Sequence, residues 1–155
     1  MSQQLWFLRH GEAVPHESKP DFDRELTPRG ERQSKVAGAA LARLGIEFAA
    51  AYTSPKVRAL DTARLACAPL GVEPEPVDAL AGGLERSDVL DLLLAHDADA
   101  RVLVVGHEPD FSQVVGDLTG GRIDMKKGGV AGVRIERGGG ELVVLLRPKD
   151  LAILA

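Results

Sequence analysis

The chain has 155 residues, of which 45% are hydrophobic and 27% are charged. This length and composition predict one ordinary globular domain over residues 1–155, with a substantial apolar core. The formal net charge is -4 and no block of like charge is present, so neither nucleic acid nor a membrane surface is expected as a partner. Any site that binds an anion must therefore depend on a local arrangement of residues and not on the overall charge of the chain.

The cysteine content and the length of the apolar runs indicate the cellular compartment of the protein. Cys67 is the one cysteine in the sequence, so it has no partner for an internal disulfide, and it lies in a helix-like apolar stretch. No apolar run approaches the roughly 20 residues of a membrane-spanning helix, and the N-terminus lacks the pattern of a signal peptide. We therefore expect a soluble cytoplasmic protein in which Cys67 is a buried apolar side chain.

The first apolar stretch, residues 4–8, runs without polar alternation into Arg9 and His10. Such a run predicts a strand that is buried on both faces, as in a parallel sheet covered by helices. Residues 13–25 mix prolines and charges without a period, which indicates an exposed loop. That loop is in a position to overhang the charged end of the strand.

Helices and strands alternate along the middle of the chain. Capping residues and prolines mark the starts of the helices, and glycines follow several of their ends. The first pair is a helix from Pro28 to about Gly45, capped by Thr27, and a strand at 48–53. Next come a helix from Pro55 to about Ala68, capped by Ser54, and an edge strand within 72–79. A helix capped by Ser87 then ends near His96, and a strand at 101–106 is followed by a helix from Pro109 to about Gly120.

The last part of the chain predicts a hairpin. Residues 130–136 alternate between apolar and polar, Gly138 to Gly140 supply a turn, and 141–146 return as a second strand. The tail, 147–155, is expected to pack back on the body. Strands that alternate with helices and end in a hairpin predict a three-layer α/β/α sandwich, with a mostly parallel sheet and an antiparallel edge hairpin.

Charged side chains follow three of the predicted strands. Arg9 and His10 end the first strand, Arg58 lies in the first turn of the helix after the second, and His107 follows the strand at 101–106. In open α/β sheets, ligands bind in the crevice outside the carboxyl ends of the strands. The sequence therefore predicts that these four side chains share one crevice.

These residue types suit a tetrahedral dianion such as phosphate, and we expect no acidic partner between them. The guanidinium forks of Arg9 and Arg58 can bind phosphate oxygens bidentately. A neutral imidazole has a free nitrogen that can attack phosphorus, and we assign this role to His10. A protonated His107 would stabilise the equatorial oxygens, and Gly11 would let the backbone approach the phosphate.

The segment Leu8-Arg9-His10-Gly11-Glu12 resembles the Arg-His-Gly signature of the histidine phosphatase superfamily, the phosphoglycerate mutase-like family, and most resembles its SixA-type phosphohistidine phosphatases. The similarity extends to 23–30, 53–55, 58–59, 62–63 and 105–109. The resemblance implies a phosphatase that needs no metal or other cofactor and carries the phosphoryl group on His10. It also implies further site residues: Arg9, Arg58 and His107 in the phosphate pocket, and Arg24 on phosphate or substrate.

The proton donor for the leaving group stays open at this point. Larger relatives supply an acid from two places, which correspond here to Glu108, directly after the second histidine, and to the region of Glu85. A protonated imidazole leaves readily, so phosphohistidine hydrolysis makes weaker demands on such an acid. Glu12 has no assigned role, and Lys126 and Lys127 either flank a strand or lie near the mouth of the pocket.

Three functions remain as alternatives. The leading one is hydrolysis of phosphohistidine on a protein domain, because the short chain between Arg58 and His107 leaves little room for a lid. The second is hydrolysis of a small phosphomonoester or nucleotide by the same mechanism. The third is a non-catalytic module that binds a phosphorylated partner. A metal site is disfavoured, because the histidine spacing matches no common zinc motif and the arginines would repel a cation.

Overall fold

The computed structural model describes residues 2–137 and 139–155. Its strands are β1 (Gln4–Arg9), β2 (Ala50–Thr53), β3 (Pro74–Pro76), β4 (Arg101–Gly106), β5 (Val130–Glu136) and β6 (Gly139–Leu146). Its helices are α1 (Pro28–Arg43), α2 (Val57–Cys67), α3 (Arg86–Leu93), α4 (Asp110–Thr119) and α5 (Pro148–Leu154), with short 3-10 turns at Asp21–Asp23, Ala68–Leu70 and Asp78–Ala81. No helix in these described ranges is long and apolar enough to cross a membrane.

The six strands form one sheet in the order β3-β2-β4-β1-β5-β6. The first four are parallel, and β5 and β6 add an antiparallel edge. Arg9 aligns with Gly106 across β1 and β4, and Thr53 aligns with Val105 across β2 and β4. The predicted fold class is confirmed, and the carboxyl ends of β1, β2 and β4 lie side by side.

The alternation of side chains along β1 explains why this strand is apolar throughout. Leu5 and Phe7 are buried against α3 and α4 on one face, and Trp6 and Leu8 are buried with α1, α2 and α5 on the other. Burial of each such side chain contributes roughly 1.5–3 kcal/mol. Because both faces are covered, only the end of the strand can present Arg9 to a ligand.

The start of α2 differs from the prediction. The helix begins at Val57 with Lys56 as its N-cap residue, two positions later than the predicted start at Pro55. Ser54 does not cap the helix; its hydroxyl oxygen accepts a hydrogen bond from the Lys56 N–H at 3.2 Å within the turn. The predicted cap is therefore wrong, and the Ser54 hydroxyl faces another partner.

The start of α3 and the C-terminal tail also depart from the prediction. Glu85, rather than Ser87, is the N-cap residue of α3, and its N–H donates to the Asp88 carboxylate at 2.8 Å. The tail packs on the body as expected, and it does so as helix α5, with Leu151 fully buried against α1 and its neighbours. Gly138 lies outside the described residues, whereas Gly139 and Gly140 belong to β6 rather than to the turn.

Cys67 is confirmed as a buried apolar side chain. It lies at the end of α2 and is 1% exposed. Burial raises the pKa of its thiol to about 12. The thiolate that reacts as a nucleophile is therefore scarce near neutral pH.

Two glycines let the start of α1 press against the loop after β1. A Cβ on Gly30 would lie 2.0 Å from the Glu12 carbonyl oxygen, and a Cβ on Gly11 would lie 2.5 Å from the Gly30 carbonyl oxygen. Thr27 completes the junction as the predicted cap, accepting from the Gly30 N–H at 3.1 Å. Contact with α1 thus requires glycine at Gly11, and the approach of this backbone to phosphate stays a prediction.

We expect Gly30→Ala to lower the free energy of unfolding by about 1–3 kcal/mol, because the new methyl group has no space against the Glu12 backbone. Urea denaturation measures this change. Gly82→Ala is the matched control, since a Cβ there meets nothing within 4 Å and the backbone is extended. Equal stability of the two variants would contradict the packing argument.

Candidate active site

His10 follows β1 and has a defined orientation. Its Nδ1 lies 2.7 Å from the Gly11 carbonyl oxygen. A carbonyl oxygen can only accept, so Nδ1 carries the proton and donates it to this bond. In the neutral ring, Nε2 therefore holds the lone pair. The side chain is 93% buried and is held in one tautomer by its own loop.

A set of buried hydroxyl groups ties this loop to both neighbouring helices. The Gly11 N–H donates to Thr62 Oγ1 at 3.1 Å, and Thr62 Oγ1 in turn donates to the Arg58 carbonyl oxygen at 2.7 Å. The Ser34 hydroxyl donates to the Gly30 carbonyl oxygen at 2.8 Å and lies 3.2 Å from Thr62 Oγ1. The position of His10 therefore depends on α1 and α2 as well as on β1.

His107 follows β4 and faces His10. The two ring centroids are 5.1 Å apart, with an interplanar angle of 57°. His107 Nε2 lies 2.8 Å from Ser54 Oγ, whereas its Nδ1 is buried without a hydrogen-bond partner among the described residues. Ser54 was interpreted from the sequence only as a helix cap. Its place directly after β2, at the edge of the sheet where ligands bind, was the signal for a site residue.

The two histidines share an electrostatic environment that disfavours their charged forms. Burial, together with the nearby charge of Arg58, lowers the pKa of each imidazole to about 3. Both rings are therefore neutral near pH 7 in the ligand-free site. The predicted protonation of His107 concerns the phosphate-bound site and stays a prediction. A bound dianion would raise its pKa, because an opposite charge favours the imidazolium.

The two predicted arginine clamps, Arg9 and Arg58, are held by different segments of the chain. Arg58 is buried in the first turn of α2, and its guanidinium donates to the Asp21 carbonyl oxygen at 2.8 Å. Arg9 donates to the Met125 carbonyl oxygen at 2.8 Å, and its buried Nε has no partner among the described residues. Each guanidinium is thus anchored by a backbone carbonyl group. The Nε of Arg58, like that of Arg9, has no partner among the described residues, whereas the terminal Nη2 of Arg58 faces the Asp21 carboxylate.

Asp21 is an acidic residue that the sequence argument missed. Its carboxylate lies 3.2 Å from the Arg24 guanidinium, 3.0 Å from the Lys56 ammonium group and 3.3 Å from the Arg58 guanidinium. The hydrogen bond from Lys56, with those of the arginines, lowers the pKa of this carboxyl. The expectation that the cationic cluster has no acidic partner is therefore wrong, although Asp21 itself remains half exposed.

Arg24 holds the overhanging loop to the site. Its side chain is 7% exposed, and its Nε donates to the Val14 carbonyl oxygen at 2.9 Å while the guanidinium contacts Asp21. The Val14 N–H donates to the Glu25 carbonyl oxygen at 2.9 Å, which closes the base of the loop. Arg24 thus reaches the cluster through Asp21, and its predicted contact with phosphate stays a prediction.

The carboxylates considered as proton donors are engaged elsewhere. Glu108 accepts from the Ser112 N–H at 2.8 Å and also from the Ser112 hydroxyl, so it caps the first turn of α4. Glu85 is the N-cap residue of α3. Within the described residues, no group of three or more histidine, cysteine or carboxylate side chains is arranged to hold a metal ion.

Glu12 has a structural contact that the sequence left unassigned. Its carboxylate accepts from the Thr27 hydroxyl at 2.8 Å and lies 3.4 Å from the Arg29 guanidinium. Its backbone N–H donates to Gln33 Oε1 at 2.9 Å. Glu12 therefore fastens the end of β1 to the first two turns of α1.

Sequence comparison identifies the family. A profile of the histidine phosphatase superfamily (branch 1) matches residues 5–82, which is about half of the chain. A protein of Picosynechococcus sp. that has no assigned function is 36% identical over 139 residues, 84% of each chain. The chain belongs to the histidine phosphatase superfamily, as the resemblance implied.

Two further relatives have named activities. The structure of the protein histidine phosphatase SixA complexed with tungstate superimposes with a TM-score of 0.85 and 26% identity, covering 96% of this chain and 99% of that one. A 2,3-bisphosphoglycerate-dependent phosphoglycerate mutase of Rhizobium johnstonii is 36% identical over 105 residues, 65% of this chain and 49% of the mutase. The chain thus spans about half the length of that mutase. Family and structural neighbours together support the predicted enzyme class, a phosphatase.

The neutral His107 predicts a pH-dependent stability. Its pKa is about 3 when folded and about 6.5 when unfolded, so between these values the unfolded state binds more protons. Stability therefore falls as the pH drops through 6.5. We expect the free energy of unfolding of the wild type, relative to His107→Gln, to decrease by about 2 kcal/mol from pH 7 to pH 5 in urea titrations. A constant difference would contradict a neutral buried His107.

The ion pairs of Asp21 predict an effect on anion binding. Asp21→Asn removes the negative charge from Arg24, Lys56 and Arg58, so an incoming anion no longer competes with a carboxylate. We expect inorganic phosphate to bind about threefold to tenfold more tightly by titration calorimetry, or about 0.7–1.4 kcal/mol. Asp23→Asn, on the same exposed turn, is the control. Weaker binding by Asp21→Asn would instead show that this carboxylate holds the cations in place for phosphate.

Proposed function

We propose that the chain is a protein phosphohistidine phosphatase that works as a single domain and forms a phosphohistidine intermediate at His10. One observation carries the choice of substrate. The carboxylates of Glu108 and Asp21 already have partners: Glu108 contacts Ser112, and Asp21 contacts three cations. No acid stands ready for an alkoxide leaving group in this described site, and a leaving imidazole needs one least.

The orientation of His10 suits the first step. With Nδ1 bonded to the Gly11 carbonyl group, the lone pair on Nε2 attacks phosphorus in line with the substrate nitrogen. The new bond joins phosphorus to Nε2, and the bond from phosphorus to the substrate imidazole breaks. The substrate reacts in the form whose other ring nitrogen is protonated, so its ring keeps that electron pair and leaves as neutral imidazole.

The cations stabilise the transferring group. Arg9 and Arg58 each keep N–H groups for the equatorial oxygens, and charge-assisted bonds of this kind are roughly twice as strong as neutral ones. His107 starts neutral, and the negative charge of the phosphoryl group raises its pKa so that it can share a proton with an oxygen. Ser54 keeps the His107 ring oriented through the contact at Nε2.

The second step returns the enzyme to its starting state. Water attacks phosphorus on the side that the substrate imidazole left, and the bond between phosphorus and Nε2 breaks. Both protons of the water stay with the product, which leaves as dihydrogen phosphate, and the electron pair of the broken bond returns to His10. The ring recovers its neutral form, in which Nδ1 still donates to the Gly11 carbonyl group.

The similarity to SixA supports this proposal on independent grounds. That protein is described as a protein histidine phosphatase, and the superposition covers 96% of the present chain. The phosphoglycerate mutase relative instead matches 65% of the chain and only 49% of its own length. A small phosphate ester is thus the second candidate substrate.

A trapping experiment tests the intermediate. We expect His10→Gln to remain folded and to lose at least about 10³-fold in kcat, because the nucleophile is gone and only the anion pocket remains. Wild type quenched during turnover should carry acid-labile phosphate at His10, as mass spectrometry of the peptide would show. Circular dichroism checks the fold of the variant.

A comparison of substrates separates the three functions. Wild type is presented with a phosphohistidine protein and with a panel of phosphomonoesters, and kcat/KM is compared. A preference for the monoesters would replace the proposed substrate while the mechanism stands. Saturable binding of the phosphoprotein without release of phosphate would show a binding module instead, and retained activity in His10→Gln would refute the nucleophile.

A further inference from the structure

A groove of about 580 Å³ lies beside the candidate active site, on the side of Arg9. We call it the basic groove. Four segments form it: the end of β1, the first turns of α1, the loop before β5 and the start of α5. Its lining residues are Arg9, Glu12, Arg29, Gln33, Lys126, Lys127, Arg147, Pro148 and Lys149.

The charge of the basic groove is opposite to that of the whole chain. It contains six cationic side chains and one carboxylate, whereas the chain has a formal net charge of -4. Three of the cations have acidic partners, since Arg29 pairs with Glu12 at 3.4 Å, Lys126 with Asp124 at 2.8 Å and Arg147 with Asp150 at 3.0 Å. Lys127 and Lys149 have no ion pair within the described residues. The groove therefore keeps a local excess of positive charge.

The groove is continuous with the reaction centre. Arg9 belongs to both, and the Gly128 N–H lies 3.0 Å from the Arg9 carbonyl oxygen and 3.1 Å from that of His10. The loop that carries Lys126 and Lys127 is thus bonded to the backbone beside the nucleophile. Lys127 is also one of the charges that lower the pKa of His10. A ligand at His10 would extend directly into the groove.

The kind of side chain indicates the kind of ligand. Arg29, Lys126, Lys127, Arg147 and Lys149 are all exposed, in contrast to the buried Arg58 of the phosphate pocket. Lysine is a point charge on a flexible stem, which follows a broad negative surface better than it clamps one small anion. Opposite charge across an interface mainly steers encounter and sets specificity.

We propose that the basic groove docks an acidic surface of the phosphorylated protein substrate, next to the phosphohistidine that enters at His10. This inference rests on the proposed function, because it assigns the protein part of that substrate. The lysines explain how the site can prefer one phosphoprotein over another. The lysines raise the rate of encounter and the affinity for the substrate, whereas the residues around His10 carry out the reaction.

Two short peptides test the proposal, each with a central phosphohistidine. One has Asp and Glu on both sides, and its twin has Asn and Gln at the same positions. We expect the wild type to have a kcat/KM about tenfold higher on the acidic peptide at low salt, falling with ionic strength. In the double variant Lys126→Glu/Lys149→Glu, the preference should disappear while kcat/KM on the neutral peptide is unchanged.

A matched variant controls for the overall charge. Lys35→Glu/Arg43→Glu makes the same charge change at exposed positions of α1 outside the groove, and it should keep the preference. Equal kcat/KM on both peptides in wild type, or a preference that survives in Lys126→Glu/Lys149→Glu, would overturn the docking proposal.

A binding measurement separates this proposal from the proposed function. Fluorescence anisotropy follows the acidic peptide without its phosphate, with inorganic tripolyphosphate and a short RNA as competing anions. If neither phosphopeptide is hydrolysed, the proposed function fails. Salt-dependent binding of the acidic peptide that Lys126→Glu/Lys149→Glu abolishes would still support the groove. Binding of tripolyphosphate or RNA but not of the acidic peptide would refute the acidic protein surface.

Discussion

The backbone contact between Gly11 and Gly30 is the constraint on which the candidate site depends. Without side chains at these positions, the start of α1 reaches the loop after β1, and the loop can then donate its N–H to Thr62. The Gly11 carbonyl oxygen is left to accept from His10. The close packing of α1 against the loop after β1 therefore determines which nitrogen of His10 carries the proton.

Burial also determines the charge state of the two histidines. His10 and His107 are buried beside Arg58, so neither ring is positively charged at neutral pH before a ligand arrives. A dianion supplies the missing negative charge and makes protonation of His107 favourable. The pocket is thus arranged to respond to a phosphoryl group, and a neutral molecule of the same size would gain little there.

Periodicity and strand-end position were enough to predict much of this arrangement. The apolar runs predicted β1 and β4, and the charged residues after them predicted the meeting of His10 and His107. Sequence reasoning failed where contacts depend on the path of a loop. Asp21 reaches Arg58 because residues 13–25 fold back over the site, and no local pattern encodes that return. Ser54 was misassigned since a serine before a proline is typical of a helix cap, whereas its hydroxyl in fact faces His107.

The exposed position of Asp21 has a consequence for the end of the catalytic cycle. In the proposed reaction, phosphate at Arg58 has the same sign of charge as this carboxylate, which already pairs with the cations Lys56 and Arg58. When phosphate begins to leave, the Asp21 carboxylate pairs with those cations, so the Arg58 guanidinium does not remain poorly solvated without a counter-charge. An internal anion of this kind lowers the barrier to product release and favours rapid turnover over tight retention.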